Sequence, residues 1–242
     1  MERRRSLVLA AATLVSSASV FTTALVLGLS TTACGANNDE PYKPAPVWTG
    51  KKPSLPAPPA NVVLPPKTGD SYSVARIIHD LRSRIHEKEV SGKEVSITGY
   101  IVESNIPSAP KCAQHPTGKK DPEGCVTDIP MFAVGDVKGD DKGKKIRVLG
   151  WASNFPNVYE AMQKYKGLKE APKKPVTDEL KGTEIPFPLP AVGAKVKVTG
   201  KYGYTYQGAG LVTDPNNGIM TYSKVEVLEP APEPAAFDTA KK

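Results

Sequence analysis

The chain has 242 residues, with 32 Lys+Arg against 25 Asp+Glu and a formal net charge of +7. Such a surplus could attract nucleic acid, acidic glycan or anionic lipid, and it fits an ordinary solvated surface equally well. Its sequence excludes the sites that announce themselves by motif: it holds no Gly-rich phosphate loop, no Gly-x-Ser-x-Gly elbow and no His-Glu-x-x-His.

Arg3-Arg4-Arg5 precedes an apolar stretch from about Leu7 to Leu29, then Ser30-Thr31-Thr32-Ala33-Cys34. A basic start, an apolar run and small residues before a cysteine are the anatomy of a secretory signal. Ala33-Cys34 resembles the end of a lipoprotein signal, with Cys34 as the lipidation (palmitate-bearing) site and Thr31 standing where such boxes usually carry Leu. An uncleaved anchor helix and plain secretion are the alternatives. Thr13, Ser16, Ser17, Ser19, Thr22 and Thr23 dilute the apolar run and weigh against the anchor. Cleavage would remove Arg3, Arg4, Arg5 and Glu2 and leave a basic surplus carried mostly by lysine. Gly35, in place of the Asp of many inner-membrane-retained lipoproteins, points to the outer membrane of a Gram-negative envelope.

From Pro41 to Pro66 nine prolines occur among Lys, Ala and Val. Proline removes backbone donors and fixes φ, which predicts a semi-rigid spacer over 34–70. The sequence after Leu228 (Glu229-Pro230-Ala231-Pro232-Glu233-Pro234) predicts a disordered tail over 229–242. Between them, 71–228 is the size of one domain.

Val74, Ile77, Ile78, Leu81 and Ile85 share one helical stripe, with His79 and His86 off it. Val95, Ile97, Gly99 and Ile101 alternate with polar neighbours, as in a half-buried strand. Met131–Val137 predicts a second strand, Lys138–Gly143 a hairpin loop, and Ile146, Val148 and Gly150 a third strand alternating with Arg147, Leu149 and Trp151. A helix follows, with Pro156 in its first turn and Gly167 past its last, and with Val158, Met162 and Tyr165 on one side. Residues 168–191 read as a long Pro/Lys-rich connection. Val196, Val198 and Gly200 then alternate with Lys195, Lys197, Thr199 and Lys201, and Met220–Leu228 closes the series.

Three strands, a helix and two strands resemble the OB-fold, a five-stranded Greek-key barrel, here mainly β with an added N-terminal helix. Gly92–Gly99 and Val192–Gly200 carry that resemblance, the second as the fourth barrel strand. Arg147–Phe155 and Gly218–Tyr222 also resemble passages of a group of bacterial envelope lipoproteins. That likeness implies location and fold and brings no activity with it. By fold analogy, a ligand would sit on the face of the second and third strands, between the loops 105–126 and 207–218.

Cys112 and Cys125 fall in the first of those loops, and in an exported chain they should be oxidised to a disulfide. Metal is the alternative, since Cys112-x-x-His115 with Cys125 offers three ligands, but no fourth is apparent. Asp136, Asp140 and Asp141 lack the spacing of a calcium loop. No catalytic or metal residues and no cofactor are therefore assigned. The candidate ligand-binding residues are Arg147, Trp151, Lys197, Tyr202, Tyr204 and Tyr206, a basic and aromatic set able to stack on sugars or bases. The tyrosines share parity with Val196 and Val198, so the alternative is that they are core. The expected function is a non-catalytic, membrane-anchored binder of an envelope protein or glycan, with single-stranded nucleic acid as the runner-up.

Overall fold

The computed structural model describes residues 44–47, 49, 50, 57, 64, 65, 67–115, 117, 119–208 and 210–238. The chain divides into two compact units, 1–58 and 59–242, and the helices and strands of the described residues fall in the second. The signal, Cys34 and most of the proline-rich spacer lie outside the described residues. No helix among the described residues is long and apolar enough to cross a membrane.

The second unit opens with β1 (Ser71–Tyr72), α1 (Val74–Arg82), α2 (Glu87–Val90) and the long β2 (Lys93–Ser104). A hairpin follows from β3 (Met131–Gly135) to β4 (Lys145–Leu149), then α3 (Phe155–Tyr165) and β5 (Lys195–Gly203). The short β6 (Thr205–Gln207) and β7 (Leu211–Thr213) precede β8 (Ile219–Glu229). In the sheet, β2 pairs with β3, β3 with β4, β4 with β8, β8 with β5, and β5 again with β2. The ring is therefore closed. Only the β4–β8 pairing within it is parallel, and α3 connects the third ring strand to the fourth. This is an OB-like barrel.

Alternation places Ile97, Ile101, Phe132, Val134, Ile146, Val148, Val196 and Val198 in one buried core. Where the barrel bends, backbones approach closely. A Cβ at Gly200 would lie 2.1 Å from the Thr221 carbonyl oxygen, so only glycine fits at this register shift between β5 and β8.

The Ser73 hydroxyl caps α1 by accepting from the Arg76 N–H at 3.3 Å. Asp136, just past β3, adds a second cap from a distance, accepting from the Val74 and Ala75 N–H groups at 2.7 Å each. The helix ends at Arg82, earlier than the apolar stripe predicts, and Ile85 is 80% exposed. At α3 the Asn154 side chain accepts from the Asn157 N–H at 3.0 Å. Gly167, at φ 75°, lets the chain turn away two residues past the helix.

Two segments differ from expectation. Within 168–191, the fully buried Asp178 accepts from Ser153 N–H and Oγ, from Asn157 Nδ2, and from the Leu180 and Lys181 N–H groups. One carboxylate thus ties the connection to the start of α3. Beyond β8, the expected free tail instead packs as far as Asp238. Phe237 is buried, with its ring 6.3 Å from Phe155 and 6.0 Å from Tyr159, and the Asp238 N–H donates to Pro107. One aromatic side chain is enough to anchor a segment otherwise poor in apolar residues.

Candidate functional site

The outer face of β3 and β4 is not open. The segment between β5 and β8 is itself a hairpin, β6 paired with β7, and it covers the Met131–Leu149 end of that face. Tyr206 packs there against Leu149 and Ile219, with Ile129, Met131 and Val212 at the edges. The Arg147 guanidinium donates to the Thr213 carbonyl at 3.2 Å and reaches Asp214 at 3.5 Å, fastening the end of β7. Lys181 stands 4.9 Å over the Tyr206 ring and donates to its hydroxyl. The hairpin is therefore gripped from both sides.

This geometry corrects the assignment of three side chains to a binding surface. Trp151 is fully buried, 6.2 Å from the Phe132 ring, and its indole N–H has no partner among the described residues. Tyr202 lies in the barrel core and donates its hydroxyl to the Asn217 carbonyl, and burial pushes its pKa far up. Tyr206 is buried beneath its own hairpin. The physical reasons differ. Tyr202 keeps the inward parity of Val196 and Val198 on β5. Trp151 lies past the end of β4, where Gly150 at φ 91° breaks the alternation with Arg147 and Leu149. Tyr206 is covered outside the barrel against Leu149 and Ile219.

The other three candidates remain partly accessible but are engaged. The Tyr204 hydroxyl donates to the Leu81 carbonyl at 2.8 Å. Lys197 bonds both Asp70 oxygens, at 2.9 and 3.0 Å, and this contact holds the Asp70 carboxyl below its ordinary pKa. Its neighbour Lys195 meets Glu229 at 3.1 Å, which raises its own pKa. Arg147 is spent on the hairpin. The six residues do not converge on one surface.

Beside the hairpin stands the long loop that follows β2. Cys112 and Cys125 are bonded, with Cα atoms 5.9 Å apart, leaving no thiolate for a metal. His115 instead pairs with the Thr117 hydroxyl at 3.0 Å. Asn105 clamps the loop ends, donating to Ile129 O and accepting from Met131 N–H, both at 2.8 Å. In the β3–β4 turn, Asp140 accepts from the Lys142 and Gly143 N–H groups. Asp136 caps α1, so these acids serve turns and caps rather than an ion.

The loop and the hairpin each expose one large apolar side chain, set among charged neighbours such as Lys119, Lys120, Glu123 and Asp128. Val126 is 91% exposed and Leu211 is 70% exposed. Gly210, next to Leu211, comes close to Ile129, three residues from Val126. The sequence read 105–126 and 207–218 as the flanks of a cleft. In the structure they approach each other at Gly210 and Ile129, forming a rim beside the part of the sheet that the hairpin covers. Tyr206 and Val212 are cross-strand partners in the β6–β7 pair, a relation that no period along the sequence displays.

No protein-family model matches the chain, and no curated protein matches it. Among solved structures, a crystal structure from Leishmania major Friedlin assigned as an aspartyl-tRNA synthetase is similar over 69% of this chain and 23% of that one. Its identity is 10% and its TM-score 0.31. The chain thus spans under a quarter of that protein's length. An OBody, AM1L10, bound to hen egg-white lysozyme is similar over 69% of this chain and 99% of that one, with 13% identity and a TM-score of 0.29. The closed ring of strands defines the OB-like barrel.

Proposed function

We propose that this protein is an exported lipoprotein of a bacterial envelope, anchored through Cys34 and held off the membrane by the proline-rich spacer. Its barrel is a non-catalytic module that binds another envelope protein through the disulfide-braced rim. The observation that carries this reading is the pair of exposed side chains, Val126 and Leu211, on two loops that the structure takes trouble to fix. Ordered apolar side chains facing solvent favour a protein partner. Glycans and single strands are recognised by open aromatic faces beside free cations. Here Trp151, Tyr202 and Tyr206 are buried and Lys195 and Lys197 are paired with acids, which favours a protein over either.

The test places a photo-crosslinking residue at Val126 or Leu211 in cells. The expected result is one protein partner captured from both positions and lost on Val126→Asp. Salt-sensitive binding of single-stranded DNA that falls on Arg147→Ala would promote nucleic acid instead. Cys34→Ala should abolish metabolic labelling with a palmitate analogue and leave the signal uncleaved, and labelling of the variant would refute Cys34 as the lipid site.

A further inference from the structure

Where β2 finishes and β5 begins, a groove of about 550 Å³ runs between the end of α3, the segment 187–191 and the tail. Its floor includes Ile101, Val196, Val225 and Val227. Pro188, Pro190, Pro230 and Pro234 also line it, and proline has no N–H to offer a ligand. The Tyr165 hydroxyl is already engaged, donating to Ile185 O at 2.8 Å and accepting from Val176 N–H at 3.1 Å. The groove therefore presents mainly apolar surface, with Gln163, Lys166 and Glu233 as its polar side chains besides the engaged Tyr165.

A peptide or sugar laid along such a wall would lose water without replacing its hydrogen bonds. A hydrocarbon chain would lose nothing of the kind. The charge is one-sided as well. Lys166 lines the groove, Lys164 precedes it, and Lys169, Lys173 and Lys174 follow in the loop leaving α3, with Glu170 the sole acid in that stretch. Among the described residues no salt bridge engages any of these five lysines. Glu233 lines the tail side, which confines the cationic end to α3.

We propose that this groove is a binding site for a long-chain carboxylate, its hydrocarbon along the valine floor and its head group at Lys166. An apolar slot with a cationic end complements an anionic amphiphile in both parts, and its volume suits a small-molecule site. The residues are separate from those of the rim, so this site and the protein-binding rim stand or fall independently.

The test titrates the full chain with hexadecanoate, read by displacement of a fluorescent fatty-acid probe. Hexadecanoate should bind at one equivalent, and octanoate at least about tenfold more weakly because it buries fewer methylenes. Lys166→Glu, a surface change, should weaken hexadecanoate about fivefold and leave hexadecanol unaffected. Ala235→Trp, which fills the groove from the tail, should abolish binding, with burial of Phe237 checked by the melting temperature. The proposal is overturned if the wild type does not bind, or if Lys166→Glu binds hexadecanoate unchanged. Stronger displacement by a Pro/Ala-rich peptide than by hexadecanoate would overturn it too. Should Ala235→Trp fail to fold, Lys166→Glu and the chain-length comparison decide.

Discussion

The Arg147 guanidinium, on the outer side of β4, bonds the Thr213 carbonyl at the end of β7. A residue expected to meet a ligand instead holds down the protein's own hairpin. The bond is partly exposed, so Arg147→Ala should cost only about 0.5–1 kcal/mol in global stability. Its main effect should be local: faster amide exchange over 205–213 than in the wild type, with the barrel strands unchanged. Uniformly faster exchange across the barrel would refute a role confined to the hairpin.

Trp151 is a core residue, and Trp151→Ala should cost about 3–5 kcal/mol. Trp151→Phe should cost less, because it also removes an indole N–H that has no partner. Urea midpoints for the two variants test this ordering.

Asp178 gives stability a defined acid limb. Burial opposes its ionisation, but the bonds from Ser153, Lys181 and Leu180 outweigh burial and hold its carboxyl below the ordinary 3.8. The folded state thus binds this proton less readily than the unfolded chain. Its contribution is complete above about pH 3.8 and is lost as pH falls through the folded value. Asp178→Asn should be less stable at neutral pH, and its stability should fall less between pH 4 and 2. Parallel wild-type and mutant curves would show that the carboxylate does not supply this limb.

The tail is part of the fold. Removing residues after Glu229 should lower the melting temperature, and Phe237→Ala should account for most of the loss at about 2–4 kcal/mol.

Reducing Cys112–Cys125 should cost about 3 kcal/mol, because the opened chain regains loop entropy. Protease should then cut first within 107–128. Unchanged protease resistance would mean that Asn105 and the buried Ala113 suffice to hold the loop.

Local pattern determined much of this protein from sequence alone. Alternation at Val95–Ile101 and Val196–Val198 depends on neighbours within the strand, as do the stripe of α1, the Asn154–Pro156 start of α3 and the Cys112–Cys125 pair. Their order was sufficient to give the OB-like barrel. Tertiary structure alone decided which polar and aromatic groups remain available. Tyr206 and Trp151 have the chemistry of ligand contacts, yet they are buried by a hairpin and a barrel wall formed from residues distant in the chain. Arg147, Lys197 and Asp178 likewise meet partners 66, 127 and 25 positions away. Burial and charge pairing are properties of the closed structure, so no window along the sequence contains them. For the same reason Phe237 appeared as part of a tail until Phe155 and Tyr159 were brought beside it.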